Sequence, residues 1–174
     1  MLLRRTLILS SILLAAYLLA ACNGLSSQQK IMANNMLKVL LEVDAYTQTG
    51  ISYAEYSSLV TEAQVSVKQA STVLPDGELK KELGLAIEAY NDAYEVWEAT
   101  TKQDFIFPPY EVLAVRSLDE AQYFENKYSI PFTFKSKEEP GMGLFSLISK
   151  EDALKRIWKS ARAHIDQASK LLEQ

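Results

Sequence analysis

The sequence has one cysteine, one histidine, six glycines and five prolines among its 174 residues. A single cysteine excludes a disulfide within the chain. A single histidine excludes a di-iron site that takes Glu-x-x-His from each of two helices. His164 also lacks the Cys-x-x-Cys-His signature of haem attachment. No Gly-x-Ser-x-Gly segment is present to form a nucleophile elbow. These absences predict a protein that is not an enzyme and that needs no metal ion or other cofactor.

An excess of basic residues is also missing. The 18 lysines and arginines are outnumbered by 22 acidic residues, which gives a net charge of −4. Affinity for nucleic acid depends on clustered positive charge. The balance therefore argues against a nucleic-acid partner, and it also argues against attachment to an anionic membrane by charge alone.

The first 22 residues have the organisation of a secretory leader. Arg4 and Arg5 precede a stretch from Leu7 to Ala21 that is apolar except for Ser10, Ser11 and Tyr17. A positive start, a short apolar run and small residues at the end are typical of a signal peptide. The run is short for a membrane span, which needs about 20 apolar residues. A retained helical anchor is the alternative interpretation.

The end of this leader, Leu19-Ala20-Ala21-Cys22, resembles the lipobox of bacterial lipoproteins. The resemblance covers residues 1–22. It implies cleavage before Cys22, a diacylglycerol on the Cys22 thiol and acylation of the new amino terminus. Such lipids would anchor the protein to a membrane of the bacterial envelope. Asn23 takes the place of the Asp that favours inner-membrane retention in enterobacterial lipoproteins, so the outer membrane is weakly favoured.

Three segments follow from this leader. Residues 1–21 are the predicted signal peptide, residues 22–29 carry the lipidated cysteine and a short tether, and residues 30–174 form one domain. Removal of residues 1–21 leaves 153 residues with 16 basic and 22 acidic side chains, a net charge of −6. That length suits a single domain with a core large enough to need no disulfide.

Four amphipathic helices are predicted in this domain, at about 27–48, 52–74, 78–101 and 149–172. In the last three, apolar residues recur in steps of 4, 3, 4, 3, 4, the spacing of helices that pack at shallow angles. These positions are Tyr56, Val60, Ala63, Val67, Ala70 and Leu74; Leu79, Leu83, Ala86, Tyr90, Ala93 and Trp97; and Leu154, Trp158, Ala161, Ile165, Ala168 and Leu172.

Short turns fix how these helices follow one another. The Pro75-Asp76-Gly77 turn folds the second and third helices back on each other, which brings Ala63 near Tyr90 and Tyr56 near Trp97. The sequence therefore predicts an all-α fold. Its form is an antiparallel four-helix bundle with a long, aromatic-rich insertion between the third and last bundle helices, at residues 102–149.

The insertion interrupts the helical pattern. Pro108 and Pro109 cannot continue a helix, and a new helix is predicted from Pro109 to about Asn126. The segment 128–134 is predicted to be extended, and 135–143 to be an exposed loop. In up-down-up-down order, the insertion lies at the end of the bundle opposite Cys22. Loops on a rigid scaffold commonly carry function, so the membrane-distal end is the predicted working face.

Aromatic residues concentrate at this end. Nine of the 17 lie within 102–149. The geometry of the predicted bundle is expected to bring five more near the same end: Tyr46, Tyr53, Tyr56, Tyr94 and Trp97. One interpretation is a small core that attaches the insertion to the bundle; the other is a binding surface, since pockets and contacts are rich in aromatics. Lys127 and Arg116 are candidates to orient an acidic group of a ligand. The predicted binding residues are Tyr53, Tyr56, Tyr94, Trp97, Phe105, Phe107, Tyr110, Tyr128 and Phe132.

The sequence thus predicts a lipid-anchored, non-enzymatic accessory or adaptor protein that meets a protein partner at its distal face. The alternative is a small-molecule or lipid-binding module with an aromatic-lined cavity at the same end. Neither hypothesis assigns a metal, a cofactor or a catalytic residue.

Overall fold

A computed structural model of the protein describes residues 24–101, 112–115, 118–131, 133–135 and 145–173. The predictions for the signal peptide, Cys22, Phe105, Phe107, Tyr110, Arg116 and Phe132 lie outside these residues.

The described part of the chain is mainly helical, as predicted, and contains five helices and three short strands. Four helices have 19 to 24 residues each. The elements are α1 (Ser27–Thr49), α2 (Tyr53–Ser71), α3 (Glu78–Thr101), β1 (Val112–Val115), α4 (Leu118–Tyr128), β2 (Thr133–Lys135), β3 (Phe145–Ser149) and α5 (Lys150–Leu172).

Serine side chains begin three of the long helices. Ser52 Oγ accepts a hydrogen bond from the Glu55 backbone nitrogen at 3.3 Å, and Glu55 Oε2 accepts one from the Ser52 nitrogen at 3.0 Å. This confirms the predicted capping box, which satisfies two backbone donors of the first turn. Ser149 caps α5 in the predicted way, by accepting from the Asp152 nitrogen at 3.3 Å. Ser26 forms a further capping box at the start of α1, which was not predicted.

The four long helices bury the apolar positions that the repeat predicts. Within the three regular series, most members are buried, while Val67, Leu79, Trp97, Trp158 and Leu172 remain half-buried at the edge. The α1 helix adds Ala33, Met36, Leu37, Leu40 and Val43 to the same core. Large and small side chains alternate in it, as dense packing requires.

Contacts between the helices define the scaffold. The most extensive interface joins α3 to α5, and α1 contacts both α2 and α5, while α2 contacts α3. Gly50 lies between α1 and α2 with φ +91°, a conformation that side chains with a Cβ rarely adopt. The turn predicted there is therefore supported by backbone geometry.

The three strands form one antiparallel sheet in the order β1-β3-β2. Val112 pairs with Ser149, and Thr133 pairs with Leu147. This sheet corrects one prediction, because β1 lies where a helix was expected from Pro109 to Asn126. Its run Val-Leu-Ala-Val is rich in β-branched residues, and its partner strand is more than 30 residues away in the chain. The helix of this region, α4, starts later, at Leu118.

Candidate functional site

Five aromatic side chains meet where the start of α2, the end of α3 and the first half of α5 come together. We call them the ring cluster. Four are predicted binding residues that lie in the described part of the chain, and the fifth comes from α5. The members are Tyr53, Tyr56, Tyr94, Trp97 and Trp158.

The rings contact one another in a continuous network. Tyr53 stacks on Tyr94 with a centroid distance of 5.8 Å and an interplanar angle of 18°. Tyr56 lies 5.5 Å from Trp97 and 5.8 Å from Trp158, and the two indoles are 6.0 Å apart. Each such pair adds about 0.5–1.5 kcal/mol beyond the area it buries. The contact between Tyr56 and Trp97 confirms one of the predicted pairings across the α2–α3 turn.

Tyr56 forms the buried floor of the ring cluster. It is fully buried, and its hydroxyl donates to the Tyr90 carbonyl oxygen at 2.9 Å while accepting from Trp158 Nε1 at 3.1 Å. Burial raises the pKa of Tyr56. Its hydrogen-bonding capacity is used within the protein, so Tyr56 serves to position the other rings.

The outer rings are half-buried and carry polar groups at their margin. Tyr94 donates its hydroxyl to Glu98 Oε1 at 3.0 Å, and a hydrogen bond with Tyr94 together with burial raises the pKa of Tyr53. Lys150 Nζ lies 6.0 Å from the centre of the Trp97 ring, and burial lowers the pKa of this lysine. An ammonium near the face of an indole is attracted by the ring. The margin therefore combines apolar surface with the ammonium group of Lys150 and the carboxylate of Glu98.

Tyr128 does not join the ring cluster. It is buried at the end of α4, and its hydroxyl donates to Asp92 Oδ2 at 2.5 Å. Its ring stacks on that of Phe124, with a centroid distance of 6.4 Å. Among the predicted binding residues that the structure describes, four thus lie in the ring cluster, and Tyr128 lies against the middle of α3.

Asp92 is the centre of the second group. This carboxylate is buried, and one of its oxygens, Oδ2, accepts hydrogen bonds from Tyr123 at 2.8 Å, Lys127 at 2.8 Å and Tyr128 at 2.5 Å. All three donors belong to α4, so one oxygen of α3 holds one face of that helix. We call these residues the Asp92 network.

Lys127 is committed to this network. Burial alone lowers its pKa, but hydrogen bonds to Asp92, Glu88 and Tyr123 outweigh burial and raise the pKa above the ordinary value for lysine. Glu88 Oε1 lies 2.5 Å from Lys127 Nζ. The acidic groups that this lysine orients are therefore side chains of its own chain.

Sequence reasoning missed a second buried carboxylate, Asp44 on α1. It accepts a hydrogen bond from Arg162 of α5 and another from Gln48. Burial raises the pKa of Asp44, although Arg162 counteracts this. The available signal was its spacing, because Asp44 lies four residues after the core residue Leu40 and therefore on the same helical face.

Near this pair lies a hydroxyl without a partner. The Tyr90 hydroxyl oxygen is buried and has no hydrogen bond. Burial raises the pKa of Tyr90, and the nearby charge of Asp44 adds to the effect.

The only histidine, His164, pairs with Glu82 through Nδ1 and Oε2 at 2.6 Å. In the described ranges, no three His, Cys, Asp or Glu side chains are grouped closely enough to hold a metal ion. Among the helices that the structure describes, none combines the length and the apolar character needed to cross a membrane. Comparisons of the chain with family models, with curated proteins and with solved structures each gave no match.

Proposed function

We propose that this protein is a lipid-anchored, non-enzymatic accessory or adaptor protein of a bacterial envelope membrane, with the outer membrane favoured over the inner. In this proposal Cys22 carries the lipid, and a protein partner binds the end of the molecule that bears the ring cluster. The observation that carries the proposal is the set of half-buried rings gathered at that end of the helices.

The scaffold proposed for this role is an antiparallel four-helix bundle made of α1, α2, α3 and α5. Cross-helix contacts support it. Tyr56 near the start of α2 contacts Trp97 near the end of α3, and Gln64, further along α2, contacts Asn91, which comes earlier in α3. Partners that advance along one helix and recede along the next are typical of antiparallel neighbours.

The distance between the start of α1 and the ring cluster supports the adaptor role. Gln29, at the start of α1, donates to the Val73 carbonyl oxygen at 3.1 Å, so the tether side of α1 meets the turn after α2. The ring cluster instead includes Tyr53 at the other end of α2. A helix of 19 residues is about 28 Å long. The two sites are thus separated by most of one helix.

Cys22→Ser tests the anchor. We expect the wild-type protein to fractionate with outer-membrane vesicles and its amino-terminal peptide to carry acyl groups by mass spectrometry. The variant should keep its leader and carry no lipid, because the thiol that accepts diacylglycerol is gone. An unmodified Cys22 in the wild type would exclude lipid anchoring.

A second pair of variants tests the working face. Tyr53→Ala combined with Trp97→Ala removes two half-buried rings, whereas Ile31→Ala removes an exposed apolar side chain on α1, which is 60% accessible. After crosslinking in intact cells, a partner captured by the wild type and by Ile31→Ala should be lost from the double variant, provided that circular dichroism shows a folded protein. Equal capture of the partner by the wild type, Ile31→Ala and the double variant would exclude the ring cluster as the binding surface. A small apolar molecule retained by the wild type in place of a protein would favour the ligand-binding alternative.

A further inference from the structure

A charged cleft lies away from the ring cluster, between the end of α4 and the first half of α5. Its volume is about 590 Å³, within the range of sites that hold small molecules. The residues that give it its character are Lys127, Ser129, Asp152, Lys155, Arg156 and Lys159.

Two lysines of this cleft form no ion pair with the residues that the structure describes. Lys155 and Lys159 lie one helical turn apart, and the structure joins neither of them to an acidic side chain among the residues it describes. Like charges at this spacing repel and destabilise a helix. Asp152 lines the cleft as well, but it forms no ion pair with these lysines. Lys155 and Lys159 thus place two positive charges at the cleft that no described carboxylate pairs with.

The cleft wall has a second unfavourable feature. Ser129 has φ +54° and is the single non-glycine residue with positive φ in the described part of the chain. Side chains with a Cβ are strained in this region, so glycine would be the neutral choice. Arg156 Nη1 donates to the Ser129 carbonyl oxygen at 2.9 Å, and the next residue, Ile130, is buried. These two contacts hold the strained turn against α5.

Repulsion between two lysines and strain at a serine are independent features, and both line the same cleft. Local features that cost stability tend to persist where a site needs them. We propose that this cleft binds a phosphate group, with Lys155 and Lys159 as the main contacts and the hydroxyl of Ser160, which also lines it, as a further donor. A phosphate monoester carries close to two negative charges, which matches the two unpaired ammonium groups.

A phosphate group can come from a soluble phosphorylated molecule or from a phospholipid headgroup. Lys159 lies 13 residues before the last residue of α5, Leu172, which is about 20 Å along the helix. In the proposed bundle this separates the cleft from the anchored end. Position therefore favours a soluble source, and the experiment distinguishes the two.

The test uses the full chain purified in a non-ionic detergent and titrated calorimetrically with inorganic phosphate and with pyrophosphate at constant ionic strength. The variant Lys155→Gln/Lys159→Gln is compared with Lys30→Gln/Lys38→Gln, which removes two exposed lysines of α1 and changes the net charge equally. We expect the first pair to weaken binding at least tenfold and the second to leave it within twofold of the wild type.

A parallel arm measures sedimentation with neutral phosphatidylcholine vesicles and with vesicles that also contain 30% phosphatidylglycerol. The lipid proposed on Cys22 anchors the protein to both kinds of vesicle, so the quantity compared is the excess of binding to the anionic vesicles over the neutral ones. An excess that is lost in Lys155→Gln/Lys159→Gln alone would support the site and assign the phosphate to a lipid headgroup. The proposal is overturned if the wild type binds no phosphate and shows no such excess, if both lysine pairs weaken binding equally, or if only an acidic peptide such as polyglutamate binds.

Discussion

The four long helices and the α4 helix are held in place by different means. The long helices bury aliphatic, alanine and tyrosine side chains along their whole length, with the greatest contact between α3 and α5. The α4 helix buries Phe124 and Tyr128 and directs three hydrogen bonds to one oxygen of Asp92. Stabilisation is thus distributed over many residues in the first region and concentrated on a few in the second.

This difference predicts that substitutions in the two regions destabilise the protein in different ways. Apolar burial is non-directional and roughly proportional to area. Truncation of a side chain in the core of the long helices should therefore destabilise all the helices packed there. A buried acceptor is directional, and its removal leaves several donors unsatisfied at once. Substitutions in the core should therefore lower the stability of the whole molecule, whereas substitutions in the Asp92 network should mainly destabilise α4.

Leu83→Ala should have the largest effect. Leu83 is fully buried in α3, and truncation of such a leucine costs about 3–4 kcal/mol through lost burial and the cavity left behind. We expect this loss in the free energy of unfolding, measured by urea titration with far-ultraviolet circular dichroism. Leu41→Ala, at an exposed leucine of α1, is the control and should change little. Equal losses in the two variants would contradict the idea of a shared core.

Asp92→Ala should have the second largest effect and should lower the free energy of unfolding by about 2–3 kcal/mol. Removal of one partner from a buried charge pair costs about 3–5 kcal/mol, and partial exposure of Lys127 reduces the figure. Hydrogen exchange should show lost protection in α4 and retained protection in α3. Asp92→Asn keeps an acceptor at the same place and should lose less. If α3 loses protection together with α4, the two regions are one cooperative unit.

Ser149→Ala should lower the free energy of unfolding by about 1 kcal/mol, the usual contribution of a helix cap. Ser149 ends β3 and caps α5, so it joins the insertion to the helical core. Ser149→Asp preserves an acceptor for the Asp152 nitrogen and should restore most of the loss. Thermal unfolding of the three proteins measures this, and an alanine variant as stable as the wild type would show that the strand alone fixes the start of α5.

The smallest effect on stability is expected from a change of pH that titrates Asp44. Burial raises the pKa of Asp44 from 3.8, while Arg162 offsets part of the rise. A carboxyl whose pKa is raised by folding contributes stability that is present below its unfolded pKa and lost as pH rises through the folded value. As the pH increases from 3.8, wild-type stability should therefore fall relative to that of Asp44→Asn. Urea titrations at several pH values measure the difference, and parallel curves would contradict it.

The long helices could be predicted because their signals are local. The bounds predicted for α3 are those observed, Glu78–Thr101, since a regular apolar repeat and a turn of Pro75, Asp76 and Gly77 define them. Strand β1 was missed because its identity depends on pairing with β3, a long-range contact. No periodicity within 109–126 contains that information.

The candidate site was predicted in part for the same reason. Tyr53, Tyr56, Tyr94 and Trp97 meet because helical spacing and one tight turn place them together. The role of Tyr128 could not be foreseen, since it requires α4 to dock on Asp92. In the sequence, Asp92 lies four residues before the core residue Val96, but this spacing does not reveal that α4 docks on its carboxylate.

The two indoles of the ring cluster have a practical consequence. Trp97 and Trp158 account for both tryptophans of the chain, and they lie 6.0 Å apart. Intrinsic fluorescence excited near the red edge of protein absorption therefore originates from a single place in the molecule. An occupant of that place would alter the emission spectrum without any added label, so the protein contains its own optical probe for the surface where a partner is proposed.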